Sequence, residues 1–228
     1  MTDLYERWKT VLDSLAEAVE KAGRKPEEVQ LMAVSKTHAY EQILSLHSFG
    51  QSLFGENRIQ EVQQKFPIQR PKDLNIHLIG HLQSNKVRKA VQLFDAIDSV
   101  DSLDLAVKLD KALDRTLPIL LELKTAPEET KSGFAQQDDL FRALDQIADL
   151  SHLSVQGLMT IGPLEGTETE TRTAFAHLRE VAEEAKLRFP SLCFSTLSMG
   201  MSNDFGWAIE EGSTMIRVGS AIFGKRGT

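Results

Sequence analysis

The sequence predicts a single closed (β/α)8 barrel of TIM type, an α/β fold occupying residues 1–228 as one domain, with an extra helix at its amino end. Two observations carry this. From Gln30 onward, eight short apolar runs alternate with amphipathic stretches whose apolar residues recur at three-to-four spacing. Eight rounds of strand and helix imply parallel strands joined by helical crossovers, which close into a barrel; a doubly wound open sheet is the alternative. In addition, no internal repeat, linker or low-complexity tract divides the 228 residues, and 41% hydrophobic with 26% charged residues suits one complete core.

The elements follow in order. Residues 2–22 carry a helical pattern that stops at Gly23, a residue suited to the left-handed cap position. The strand candidates are LMAVS (31–35), SLFG (52–55), IHLIG (76–80), FDAIDSV (94–100), LPILLEL (117–123), VQGLMTIG (155–162), LCFSTLSMG (192–200) and TMIRVG (214–219). Such runs suit strands covered on both faces. Between them lie helices such as SLDLAVKLDKALD and ETRTAFAHLREVAEEAKLRF, while TAPEETKSGFAQQ and GPLEGTETE are the loosest segments.

Composition narrows the function. A formal net charge of -7 opposes binding to nucleic acid, whose affinity rests on Lys and Arg displacing counterions. No stretch approaches the roughly 20 apolar residues of a membrane span, and MTDLYERWKT lacks the apolar centre of a signal peptide, so a cytoplasmic protein is expected. Cys193, the single cysteine, lies in the apolar run LCFSTLS and is expected to be a small buried hydrophobe.

In a barrel the chemistry sits at the carboxyl ends of the strands, which places Lys36, Glu56, Asn57, His81, Lys124, Met159, Ser198 and Gly219 on one rim. Lys36 closes a buried run. An ammonium there has a use when something at the strand end needs a nucleophilic amine, and an aldehyde bearing a phosphate is the expected partner; a lone strand-terminal lysine otherwise reaches into solvent. The phosphate reading comes from the last run. Gly219-Ser220, where the eighth strand feeds a short helix, lets backbone N–H groups and a hydroxyl face an anion, and Ser198 is a further candidate donor. An ordinary strand-to-helix turn capped by Ser220 is the plainer alternative.

Other constellations are weaker. GSAIFGKR (219–226) matches the start of a nucleotide-binding P-loop, but Arg226 stands where magnesium needs Ser or Thr. His77 and His81 would be roughly 13 Å apart along a strand, too far to share a metal ion. Glu56 and Glu122 could suggest a glycosidase pair, yet 7% aromatic residues leave little to stack on sugars. Lys86, Arg88 and Lys89 read as a solvated helix face.

Taken together, AVSKTH, FGENRIQE, HLIGHLQSNK, GLMTIG, LSMGMSNDF and IRVGSAIFG resemble the pyridoxal phosphate homeostasis protein family over essentially the whole chain. The resemblance implies an alanine-racemase-like barrel that binds pyridoxal 5'-phosphate (PLP), a form of vitamin B6, as a Schiff base on Lys36. It also implies Arg217 beside the pyridine nitrogen, Ser198, Gly219 and Ser220 around the phosphate, and Met199 and Gly200 shaping the adjoining loop. Asn57 and Met159 would line the ring pocket, or serve packing. The chain departs from the family at IHLIG, where an aromatic often precedes the histidine, and at Arg58, where tyrosine is common. Neither change touches the implied contacts.

The implied role is cofactor handling and delivery, with PLP-dependent apoenzymes as partners, no catalytic residues and a monomer favoured; a small amino-acid racemase is the alternative. Racemisation needs a base on each face of the substrate, and the alanine racemases that share this barrel use the lysine and a tyrosine from a second domain. Here Tyr5 and Tyr40 are the tyrosines available, one in the leading helix and one just after the first strand. Arg217 points the same way. A guanidinium beside the pyridine nitrogen disfavours its protonation and weakens the electron sink, unless Arg217 pairs with a carboxylate inside the barrel instead.

Overall fold

The computed structural model describes residues 2–67, 69–126 and 132–224. Eight parallel strands form a closed barrel in chain order: β1 Gln30–Val34, β2 Leu53–Glu56, β3 Asn75–Leu78, β4 Ala96–Val100, β5 Leu117–Glu122, β6 Leu153–Met159, β7 Thr196–Ser198 and β8 Met215–Val218. The helices are α1 Thr2–Lys21, α2 Tyr40–Ser48, α3 Ile59–Lys65, α4 Val87–Leu93, α5 Leu103–Ala112, α6 Gln137–Ile147, α7 Glu168–Arg188, α8 Phe205–Glu210 and α9 Ser220–Phe223. Because β1 pairs with β8 as well as β2, the open sheet is excluded.

Each of the eight apolar runs contains a strand, with shifted boundaries. FDAIDSV yields a strand only from Ala96, because the Phe94 amide donates to the Ala90 carbonyl at 3.0 Å and so finishes α4. LCFSTLSMG yields three strand residues, Thr196–Ser198. In the approach to them Phe194 is buried while Cys193 and Ser195 face out, so Cys193 is exposed, contrary to expectation. A period of two along extended chain turned it away from the core.

The leading helix ends as its sequence suggests. Gly23, at φ 66, donates to the Glu20 carbonyl at 2.9 Å, and Arg24 N–H donates to Val19 at 3.0 Å, a Schellman closure. Arg24 then donates to the carbonyls of Ser213 and Ile209 at 2.6 and 3.1 Å, and Arg7 to Ile222 at 2.8 Å. These bonds lock α1 over α8 and α9, the elements on either side of β8. Among the described residues no helix is long and apolar enough to cross a membrane.

The main core lies between the outer faces of the strands and the helices, where Leu31, Ala33, Phe54, Ile76, Leu78, Ile97, Ile119, Leu121, Ile216 and Val218 are buried. Alternate strand positions point inward. Met32, Leu53 and Met215 form a small apolar plug of their own, and the neighbouring inward positions are His77, Asp98, Glu122, Ser198 and Arg217. The barrel therefore has a polar interior on one side, beneath its carboxyl-end rim.

Candidate functional site

A cavity of about 780 Å³ opens at the carboxyl ends of the strands. Its walls come from segments that each follow a strand: Lys36 after β1, Asn57 after β2, Ile79 after β3, Ile161 after β6, Met201 to Asp204 after β7, and Gly219 and Ser220 after β8. Barrel closure explains how residues 36 and 219 meet across most of the chain. The register Ala33↔Val218 sets the ends of β1 and β8 side by side, so the turns that leave them are neighbours. A Cβ on Gly219 would sit 3.2 Å from the Val34 carbonyl oxygen, which makes glycine the residue that lets the two turns approach.

Lys36 sits in a turn of unusual shape. Thr37 adopts φ 68, a left-handed conformation that costs a residue bearing a Cβ about 1–2 kcal/mol, and the structure around it must hold it there. The holding groups come from β2 and α3. Ser35 donates its hydroxyl to Glu56 at 2.6 Å, Lys65 donates to the Ser35 carbonyl at 2.9 Å and also pairs with Glu56, and Glu61 accepts the Thr37 N–H. Burial pushes the Glu56 carboxyl upward in pKa, a tendency that the Lys65 charge and the hydrogen bonds from Lys65 and Ser35 oppose.

Arg217 is buried in the barrel interior. Its Nη1 donates to Ser198 Oγ and its Nη2 to the Thr160 carbonyl, both at 2.8 Å. Among the described residues no carboxylate lies within ion-pair distance of it. Burial depresses its pKa, while the negative charges of Asp98, Glu122 and Asp204 push back. Asp98 also engages His77 Nδ1 at 3.1 Å, and Ser132 donates to Glu122 at 2.8 Å. Burial raises the pKa of Glu122 and of Asp204, each partly offset by Arg217.

Of the residues singled out from sequence, the structure brings Lys36, Asn57, Arg217, Gly219 and Ser220 onto this cavity. Met159, Ser198 and Met199 are fully buried and are not among its lining residues. The Ser198 hydroxyl serves Arg217. Gly200 shapes the loop from behind: it has φ 93, and a Cβ there would come within 2.6 Å of the Ala208 Cβ. From the wider rim, Glu56 turns into the Lys65 pair, His81 is exposed and paired with Asp101 at 2.9 Å, and Lys124 lines a separate cavity beside α6. Lys225 and Arg226 of the P-loop-like stretch lie outside the described residues.

Sequence reasoning missed Ser202, Asp204, Trp207, His38 and Thr171, all of which line the cavity. Ser202 carries the most chemistry: its Oγ lies 3.4 Å from Ser220 Oγ, so two hydroxyls and the opening turn of α9 face the same volume. The motif LSMGMSNDF holds two serines, Ser198 and Ser202, and the sequence signals a donor role only for the first. His38 stacks on Phe223 with ring centroids 4.7 Å apart, tying the Lys36 turn to α9.

Comparison with known proteins agrees with this geometry. The alanine racemase, N-terminal domain family matches residues 11–227. The pyridoxal phosphate homeostasis protein of Aquifex aeolicus is 36% identical over 224 residues, covering 97% of both chains. PipY of Synechococcus elongatus, solved with PLP bound, superposes with a TM-score of 0.81 at 42% identity, covering 92% of this chain and all of the other. Alanine racemase from Clostridium difficile shares the fold at a TM-score of 0.75 and 16% identity, with 58% of that longer protein covered. By its motifs, its barrel and relatives that match it nearly end to end, the chain belongs to the pyridoxal phosphate homeostasis protein family.

Proposed function

We propose that this protein binds PLP, holds it covalently through Lys36 and passes it to PLP-dependent apoenzymes without turning over a substrate of its own. The observation that carries this reading is the convergence of one amine, one buried guanidinium and one hydroxyl-rich glycine turn on a single cavity. PLP would supply an aldehyde for the amine and a phosphate for the opposite pole. The chain's groups fit both. Lys36 is the amine, while the hydroxyls of Ser202 and Ser220 and the N–H groups of Ser220 and Ala221 at the start of α9 suit the phosphate; the next two N–H groups, of Ile222 and Phe223, are taken by the Gly219 carbonyl. Arg217 enters the cavity wall from below, held by Ser198 and Thr160, in a place suited to the ring nitrogen.

Two placements support handling over catalysis. Tyr5 packs on the outer surface against Trp8 and Phe49, and Tyr40 packs edge-on against Phe66, so neither tyrosine is offered to Lys36 from the far wall. A cationic group next to the ring nitrogen also makes a poor electron sink. The relatives named as homeostasis proteins point the same way. The test is to incubate PLP-loaded protein with a panel of amino acids in deuterated water. The reading expects no exchange at the α-carbon and measurable transfer of PLP to an added apoenzyme; rapid exchange with inverted product would establish a racemase instead.

A further inference from the structure

Lys65 has three ammonium protons, and the structure gives it three oxygen acceptors: the Ser35 carbonyl at 2.9 Å, Glu61 Oε1 at 3.1 Å and Glu56 Oε1. It is one of the least exposed charges in the molecule, with 8% of its side chain accessible, and Phe66 lies under its ammonium with the ring centre 5.4 Å away. A buried lysine with filled valences is ordinarily a brace. What matters is what it braces. Ser35 directly precedes Lys36, and Glu61, one helical turn before Lys65 on α3, takes the N–H of Thr37, which directly follows.

The peptide units on both sides of Lys36 are thus gripped by one pair of side chains on one helix. That grip coincides with the left-handed Thr37, a conformation that relaxes when nothing opposes it. The ion pair is also needed where it stands, because Glu56 is buried with its other oxygen unpartnered, and without Lys65 its charge would be met only by the Ser35 hydroxyl.

We infer that Lys65 and Glu61 are positioning residues for Lys36: together they hold the turn that aims its amine into the cavity, so that attachment of an aldehyde depends on α3 as well as on Lys36 itself. This rests on the reading of Lys36 as the residue that holds PLP. Neither Lys65 nor Glu61 lines the cavity, so their effect must pass through the turn.

The experiment measures the rate at which the purified apoprotein forms its covalent adduct with added PLP, by stopped-flow absorbance, together with the thermal midpoint of each variant. Glu61→Ala removes the acceptor for Thr37, and an amine displaced by about 1 Å slows attachment by roughly tenfold to a hundredfold. Glu61→Gln keeps that acceptor oxygen and is expected to restore the rate to within about twofold of wild type. Arg115→Met, which removes hydrogen bonds to Val91 and Phe94 at the amino end of the barrel, serves as a control for lost stability and should leave the rate unchanged. Lys65→Met is expected to be slow as well; if it does not fold, the Glu61 pair decides. Wild-type rates in Glu61→Ala would overturn the positioning role, whereas a wild-type protein that forms no adduct on Lys36 would overturn the function on which it rests.

Discussion

Replacing Ser198 by alanine separates two jobs that one hydroxyl could do. In the structure Ser198 is fully buried and accepts a 2.8 Å bond from Arg217 Nη1, inside a barrel where no carboxylate among the described residues is close enough to pair with that guanidinium. Alanine leaves a charged donor without its acceptor. Hydrogen bonds to charged groups are worth about 1.5–3 kcal/mol, and a buried donor left unmade costs that much or more. For 228 residues the unfolding entropy is about 0.5 kcal/mol/K, so a loss of about 2 kcal/mol lowers the melting temperature of the apoprotein by about 4 °C. The assay is thermal denaturation of apo wild type and variant, followed by titration with PLP and with pyridoxal. Because Ser198 does not line the cavity, the variant should hold both ligands less well by a similar factor through a misplaced Arg217. An unchanged melting temperature, or a loss confined to the phosphorylated ligand, would refute this account of Ser198.

Three further outcomes follow from the same geometry. Ser202→Ala and Ser220→Ala should each cut the preference for PLP over pyridoxal by about tenfold, the value of one charge-assisted bond, measured by equilibrium titration; unaltered preference would move the phosphate elsewhere. Gly200→Ala forces a side chain into φ 93 and against Ala208, and should destabilise by about 3 kcal/mol in urea unfolding; a cost near zero would mean the loop yields freely. For His77, burial lowers the pKa but the charge and hydrogen bond of Asp98 outweigh it and raise it overall. A group raised on folding contributes stability that is full below its unfolded pKa of about 6.5 and lost as pH rises through the higher folded value, so stability should decline across that window and His77→Gln should flatten the decline.

Much of the architecture was legible because its signals are local. Apolar runs, helical spacing and the Gly23 cap each act within a few residues, and parallel strands buried on both faces announce themselves as near-continuous hydrophobic segments. Strand ends were read less well. Phe94 and Cys193 are apolar yet lie outside strands, one finishing a helix and one facing solvent, and hydrophobicity alone does not distinguish those fates. Lys36, Asn57, Gly219 and Ser220 could be assembled from sequence because barrel topology places strand ends on one rim, whereas Arg217 entered only through the family resemblance. The polar barrel interior was hidden in plain text: His77, Asp98, Glu122 and Arg217 each occupy an alternate position in a hydrophobic run, where a strand's period of two points them inward. Ser202 and the Lys65–Glu61 brace depend on loop conformation and on α3 crossing behind the β1 turn, which no spacing rule encodes.

The claim on which the rest depends is that Lys36 is the amine that holds PLP. The purified protein incubated with PLP, reduced with borohydride and mapped by peptide mass spectrometry tests it directly. The account predicts a yellow protein whose colour is lost on reduction, with the cofactor mass carried on the peptide containing Lys36, and neither colour nor mass shift in Lys36→Ala. A modified Lys36→Ala protein, or label found on other lysines with Lys36 untouched, would contradict it.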